Sequence, residues 1–371
     1  MTSDGSRTPV LTPGQTIGVL GGGQLGRMLA MAAARLGLRV HVYDPDPRCP
    51  AADVAAELTQ APFEDGAAMA RFAASVNAIT FEWESVPTAA LSALHAAPPI
   101  RPPVHAVNVL QDRLAEKRFL TELGLRTAPF EEVDSPEQLA PALARIGYPA
   151  ILKTRRFGYD GRGQVRLDGP HRIDSAVALV ATQPCVLEGF VAFEREVSVV
   201  AARCVRGNRA CYEPGESAHE DGILRTTRVP AQLGDEQARA ARRAAELVLD
   251  ALDYVGVLGV EFFVTESGLV VNEVAPRVHN SGHWTEAGCH VDQFEQHIRA
   301  VAGWPLGDPR RHSDVTMKNL IGDDVHGWPE YLTSPHAALH VYGKRDVRPG
   351  RKMGHVNFIG ERSTASPRPE S

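Results

Sequence analysis

Val260-Glu-Phe-Phe-Val-Thr265 and Leu269-Val-Val-Asn-Glu273-Val274, joined by Glu266-Ser-Gly268, read as two apolar strands folded back on each other across a short turn ending in glycine. With Thr265 opposite Leu269, Glu261 falls opposite Glu273, and both side chains emerge on one face. Like charges facing each other on strands otherwise rich in Phe and Val destabilise a sheet unless something offsets them. A cation does so, and hard carboxylate oxygens suit Mg²⁺, with Mn²⁺ as the alternative ion. The bland alternative is a register shift that parts the two acids on a solvated face.

Upstream, Lys153-Thr-Arg-Arg-Phe-Gly158-Tyr-Asp-Gly161-Arg-Gly163-Gln164 starts at the end of one strand, Pro149 to Leu152, and runs into another, Val165 to Leu167. This is a hairpin loop rather than a phosphate loop opening a helix. Its glycines let backbone N–H groups close over phosphates, while Lys153, Arg155, Arg156 and Arg162 supply positive charge. A solvated basic turn is the competing reading. Cys185-Val-Leu-Glu188-Gly-Phe-Val191 reads as a strand edge able to pair with an adenine rim, with Glu196 placed to hold ribose hydroxyls.

Nearer the start, Thr16 to Leu20, Arg39 to Tyr43 and Ala78 to Phe81 read as buried strands around a helix from Gln24 to Leu36, a parallel-sheet pattern. Gly21-Gly-Gly-Gln-Leu-Gly26 lies between the first strand and that helix, with Asp44 after the second strand, which is the layout of a dinucleotide site. Physically, such a turn only offers N–H groups to some anion, or allows close helix packing. An NAD-dependent oxidoreductase would leave the Glu261/Glu273 hairpin without a purpose. The Pro-rich run Ala97 to Pro103 marks the first boundary and Trp304-Pro305 the second. The expected division is 1–106, 107–303 and 304–371, with a polar leader and a low-order tail from about Glu361.

The 371 residues carry 39 Lys plus Arg against 45 Asp plus Glu, a net charge of -6 that gives no general attraction for nucleic acid or an anionic membrane. Apolar runs are broken well before membrane-spanning length, and the first residues lack a signal layout, so a cytoplasmic protein is expected. Cys49, Cys185, Cys204, Cys211 and Cys289 contain no C-x-x-C pair, against a disulfide framework or thiolate zinc site. His279, His283, His290 and His297 are also not read as zinc ligands, because Asn-Ser-Gly favours a loop and no acidic or thiolate ligand completes the set.

Together these residues resemble the ATP-grasp enzymes, and within them the N5-carboxyaminoimidazole ribonucleotide synthetases. The resemblance runs from Ile17 to about Phe358 on Gly21 to Arg27, Phe81-Glu-Trp-Glu84, Gln111-Asp-Arg113, Lys153 to Gln164, Asn272 to Thr285 and Gly350-Arg-Lys-Met-Gly-His355. Glu216-Ser217 departs from the family's usual Glu-Asn. The fold class implied is mixed α/β and α+β: an ATP-grasp fold with an N-terminal Rossmann-like, pre-ATP-grasp parallel-sheet domain and a small C-terminal β-rich domain. The activity implied is ATP-dependent phosphorylation of bicarbonate, with carboxyphosphate, or CO₂ from it, carboxylating the amine of 5-aminoimidazole ribonucleotide. A homodimer is implied as well.

By motif position the resemblance assigns ATP to Arg113, Lys153, Gly158, Tyr159, Asp160, Gly161, Arg162, Gly163, Gln164, Glu188, Gly189, Phe190, Val191, Glu196, His219, Asn272 and Glu273. It gives the metal to Glu261 and Glu273, and the chemistry to Lys153, Tyr159, Arg277, His279 and Asn280. Gln24, Leu25, Glu82 and Ser281 would face the substrates, and Lys344, Arg351 and Lys352 the ribonucleotide phosphate. These residue types suit such chemistry, since a phosphate anhydride must be sheltered from water, which calls for a closing glycine loop, and a guanidinium at Arg277 matches bicarbonate in two parallel hydrogen bonds. A formate-using glycinamide ribonucleotide transformylase is the alternative within the fold, and a non-catalytic nucleotide sensor the alternative outside catalysis.

Overall fold

The computed structural model describes residues 9–87, 91, 98–158 and 161–363. Residues 1–8 of the expected leader, most of the expected tail, and Ala97 at the start of the Pro-rich run lie outside the described residues.

Short, largely apolar runs make the first sheet. Strands β1 (Thr16–Leu20), β2 (Arg39–Tyr43), β3 (Glu57–Thr59) and β4 (Ala78–Phe81) pair in parallel in the order β3-β2-β1-β4. Almost every residue of β1, β2 and β4 is buried, as strands covered on both faces require. Helices α1 (Gln24–Arg35) and α2 (Gly66–Ala74) connect them, and the Asp65 carboxylate caps α2 by accepting from the Ala68 N–H.

The chain then enters α3 (Val104–Leu110) and α4 (Arg113–Glu122). Strands β5 (Phe130–Val133), β6 (Ala150–Thr154), β7 (Gln164–Leu167) and β8 (Cys185–Gly189) form an antiparallel sheet, order β5-β8-β6-β7, packed with α5 (Pro136–Ile146) and α6 (Ile173–Val180) around a core of Leu139, Leu143, Leu152 and Leu187.

A second, larger sheet holds β9 (Arg195–Arg203), β10 (Arg209–Cys211), β11 (Gly215–Glu220), β12 (Ile223–Val229), β13 (Gly256–Thr265), β14 (Gly268–Ala275), β15 (Asp314–Ile321), β16 (Ala337–Val341) and β17 (Lys352–Gly360). Its order is β14-β13-β9-β11-β12-β15-β17-β16, with β10 beside β9. The C-terminal strands therefore extend the central sheet through the β12–β15 pair instead of forming a sheet of their own. Alternation along β9 sends Val197, Val199 and Ala201 into a core with Val248 and Leu249 of α7 (Asp235–Ala251). Val200 and Ala202 point the other way, into a core shared by Phe294 and Ile298 of α8 (Gln293–Ala302) and by Ile17 and Leu29 of the first part. That shared core seats the parallel sheet on the larger one, and Arg35–Asp292 at 2.6 Å and Thr80 Oγ1–His297 Nε2 at 2.7 Å cross the same seam.

Candidate nucleotide and metal site

The β13–β14 hairpin places Glu261 opposite Glu273, but by a different route from the one its turn suggests. Thr265 pairs with Gly268 and Val264 with Leu269, so Glu266-Ser267 is a two-residue turn, and the expected Thr265–Leu269 pairing is corrected by one residue. Continued unbroken, that register would set Glu261 against Asn272 and send Glu273 to the other face. A β-bulge between the Phe262–Val271 and Glu261–Glu273 pairs inserts Asn272 and restores the two acids to one face.

Burial and the neighbouring Glu273 charge push the Glu261 carboxyl up to about 7. Burial also opposes ionisation of Glu273, but Arg113, whose Nη1 lies 2.8 Å from its Oε2, holds it at about 2. Thus the two carboxyl groups are pushed apart in affinity for a proton, Glu261 upward and Glu273 downward. Behind it, Glu188 Oε2 is 2.9 Å from Lys153 Nζ and 3.3 Å from Lys117 Nζ. Despite its burial, those two cations keep Glu188 at about 2. Desolvation lowers Lys153 from its ordinary range, with Glu188 opposing. Arg113, Lys153 and Lys117 thus converge from α4 and β6 on the face of the hairpin that carries the carboxylates. Glu196 and His219 sit beside it as a pair 3.0 Å apart.

Beyond β14, burial and Arg277 push His279 down to about 3, so its imidazole is neutral, with Nδ1 2.7 Å from Ser281 Oγ and Nε2 3.5 Å from Glu261 Oε1. Ser281 is fully buried beneath that ring, and its hydroxyl serves His279. Asn280 is locked in a reciprocal amide pair with Asn319, at 2.9 and 2.7 Å. Arg277 donates to Glu84, from the end of the parallel sheet.

Two further corrections concern the basic loop and the strand beside it. Arg155 and Arg156 do not face the phosphate region: Arg155 binds Asp112 at 3.0 Å and Arg156 the same carboxylate at 3.3 Å. Asp112 also caps α4 through the Leu114 and Ala115 N–H groups. Strand β8 is interior to its sheet, flanked by β5 and β6, so it offers no edge over Cys185–Gly189, and the Phe190 N–H just beyond it still donates to the Pro149 carbonyl at 3.0 Å. In the loop, Gly163 has φ +71° and a Cβ there would lie 2.6 Å from Thr154 Oγ1, so glycine is required. Tyr159 and Asp160 lie outside the described residues.

The first glycine motif is already filled by protein carboxylates. Glu82 accepts from the N–H groups of Gly23 and Gly26 at 2.9 and 3.1 Å, and Asp44 from that of Gly22 at 2.7 Å. A Cβ on Gly23 would stand 2.6 Å from Glu82 Oε1, so the glycines admit a carboxylate, and the amides a pyrophosphate would need are engaged. Gln24 opens α1, and Leu25 is buried in the shared core. Lys344 Nζ donates to the Lys352 carbonyl at 2.7 Å, and Arg351 Nη1 to that of Asp346 at 2.8 Å, which gathers the three basic residues at the start of β17.

Sequence reading placed Glu84 in a motif at the end of its strand without giving it a role, and missed Glu116 and Lys117. The signal for the latter two was available: three and four residues past Arg113, they share its face of α4.

An antiparallel hairpin with facing carboxylates, a glycine-rich β6–β7 loop and lysines clustered between two sheets define an ATP-grasp enzyme, and the ATP-grasp domain family matches residues 118–294. The ribonucleotide synthetase preATP-grasp domain matches residues 14–111, and the phosphoribosylaminoimidazole carboxylase C-terminal domain residues 315–366. The N5-carboxyaminoimidazole ribonucleotide synthase of Brucella melitensis is 54% identical over 356 residues, covering 95% of this chain and 98% of the relative. That of Pseudomonas aeruginosa is 42% identical over 353 residues, covering 95% and 97%. Among solved structures, the ADP complex of an N5-carboxyaminoimidazole ribonucleotide synthetase superposes with a TM-score of 0.93 at 38% identity, covering 96% of this chain and 95% of that one. The Aspergillus clavatus N5-carboxyaminoimidazole synthase in complex with ADP and 5-aminoimidazole ribonucleotide superposes with a TM-score of 0.88 at 31% identity, covering 94% of each. The chain belongs to the N5-carboxyaminoimidazole ribonucleotide synthase family. As a member it is an ATP-using ATP-grasp ligase of purine biosynthesis.

Proposed function

We propose that this chain joins bicarbonate to the exocyclic amine of 5-aminoimidazole ribonucleotide at the expense of ATP, releasing ADP and phosphate through carboxyphosphate. The observation that carries the reading is the bulged hairpin that sets Glu261 against Glu273 within reach of Arg113. Two carboxylates facing each other across a hairpin repel, a conflict that a divalent cation relieves, and two hard oxygen donors with phosphate oxygens close by would fit Mg²⁺. Glu261 and Glu273 would hold it, and when bound it would neutralise charge on the phosphates during transfer.

The remaining roles belong to the chain's own groups. Lys153 and Arg113 orient the triphosphate and stabilise the charge that develops as the terminal phosphoryl moves to a bicarbonate oxygen. Closure of the Gly158–Gln164 loop excludes water from the anhydride. Arg277 binds bicarbonate, while neutral His279 can accept a hydrogen bond beside it. The amine then attacks the carboxyl carbon, phosphate leaves with the bonding electrons of the anhydride, and the amine proton passes to the phosphate. Glu82 in the glycine cradle faces the ribonucleotide, and Lys344, Arg351 and Lys352 hold its phosphate, with roles for Gln24 and Ser281 beside them. Family resemblance also supports a cytoplasmic homodimer, with a sedimentation mass of twice 40.1 kDa as the expected result. Among the described residues no helix is long and apolar enough to cross a membrane.

The test is ADP release with isotopically labelled bicarbonate. Release coupled to labelled carbamate should require the ribonucleotide, bicarbonate and Mg-ATP together; dependence on formate, or turnover without nucleotide, would overturn the reading.

A further inference from the structure

The facing of Glu261 and Glu273 depends on one extra residue in β14, and something must hold that residue in place. β14 is the edge strand of the large sheet, and its outward backbone groups meet no further strand of that sheet: up to the bulge an isolated parallel bridge with Thr127 serves Val271, whose N–H donates to the Arg126 carbonyl at 2.7 Å. Along the bulge those groups go to α4. Lys117 Nζ donates to the Asn272 carbonyl at 3.0 Å, and Glu116 Oε1 accepts from the Val274 N–H at 2.5 Å. Both side chains are at most 2% exposed. One turn earlier on the same helix, Arg113 holds the Glu273 carboxylate itself. Residues 272, 273 and 274 are therefore gripped in succession by a lysine, an arginine and a glutamate spaced over one helical turn. Lys117 adds a second link, because the Glu188 carboxylate it faces also binds Lys153.

From this geometry we infer that Glu116 and Lys117 are positioning residues: they lock the β14 bulge and so fix the distance and face on which Glu261 and Glu273 meet the metal. Without the clamp the hairpin can relax toward its unbulged register, in which Asn272 takes the place of Glu273 opposite Glu261. The inference rests on the proposed metal role of that pair.

Glu116→Leu removes the acceptor for Val274 while keeping the volume near, and Glu116→Gln keeps an acceptor oxygen in the same place. The half-saturating free Mg²⁺ for ADP release should rise at least tenfold in Glu116→Leu, the scale seen when outer partners of metal ligands are lost, and stay near wild type in Glu116→Gln. KM for the ribonucleotide should be unchanged in both, a split that a general loss of structure would not produce. Lys117→Met, read in the same way, replaces Glu116→Leu if the latter does not fold. An unchanged Mg²⁺ requirement, or an equal rise in the Mg²⁺ and ribonucleotide constants, would overturn the clamp. Glu261→Gln separates the two layers: if it keeps the wild-type Mg²⁺ requirement the metal reading itself fails, and if it loses it while Glu116→Leu does not, only the clamp fails.

Discussion

Glu261 and Glu273 face each other on one hairpin, yet one is held near 7 and the other near 2, because Arg113 reaches only the second. Since the folded protein raises Glu261 above its ordinary value of 4.5, the native state retains a proton there that the unfolded chain has lost. Stability of the metal-free protein contributed by this group therefore falls as pH rises from 4.5 to about 7 and is level beyond. Metal binding must displace the same proton. The half-saturating Mg²⁺ concentration is accordingly expected to be level above pH 7 and to climb below it, approaching roughly tenfold per pH unit for one displaced proton. Activity titrations with Mg²⁺ between pH 6 and 8 measure this, and a requirement independent of pH would show that Glu261 does not bind the ion. At this scale the sequence showed the chemical types but not their partners. Arg155 and Arg156 read as phosphate ligands because they flank the glycines, while Asp112, which takes both, lies more than 40 residues earlier.

Among the elements, β1, β2 and β4 were legible to the residue, because strands buried on both faces leave a largely apolar run, interrupted here only by His41 and Thr80, between polar or glycine boundaries. The β13–β14 hairpin was legible only in outcome. A turn misjudged by one residue and an unseen bulge cancel, since neither Glu266-Ser267-Gly268 nor Asn272 carries a period that distinguishes the two registers. Helix α4 depends on Asp112, whose carboxylate accepts from its first N–H groups and anchors Arg155 where the glycine loop begins. Asp112→Ala should cost about 2–3 kcal/mol, from the lost cap and the lost charge-assisted bond, and raise KM for ATP because α4 carries Arg113. The urea midpoint and the ATP saturation curve check both, and a full loss of neither would show that Arg155 finds an equivalent partner. The glycine cradle of α1 makes a separate prediction. A methyl at Gly23 would lie 2.6 Å from Glu82 Oε1, so Gly23→Ala displaces that carboxylate. The expected result is a raised KM for the ribonucleotide with KM for ATP unchanged; the reverse pattern would place a nucleotide phosphate at this motif.

Across the whole molecule, the reacting groups sit where the parallel sheet meets the larger one, and the shared core of Ile17, Leu29, Phe294 and Ile298 keeps that seam closed. The chain leaving β4 supplies both sides of the meeting point. Glu82 turns back into the glycine cradle, and Glu84, two residues on, reaches across the seam to Arg277 just past β14. Arg277 is thereby oriented by a carboxylate from the other part of the molecule, and the proposed bicarbonate site is complete only when the two parts are docked. Burial alone would penalise the guanidinium, but Glu84 beside it raises its affinity for the proton, so it stays a cation across the working range. Glu84→Gln keeps the shape and removes the charge, freeing Arg277 to turn from its present direction. Loss of a hydrogen bond to a charged group, about 1.5–3 kcal/mol, predicts a rise of roughly 10- to 100-fold in KM for bicarbonate. KM for ATP should hold, because Arg113, Lys153 and Lys117 are fixed from α4 and β6 without help from the parallel sheet. Steady-state kinetics in bicarbonate-depleted buffer, with the melting temperature followed in parallel, separates the outcomes. A bicarbonate constant that does not move would show that Arg277 needs no partner across the seam, and an equal rise in both constants would mean that Glu84 holds the two parts together instead of aiming one side chain.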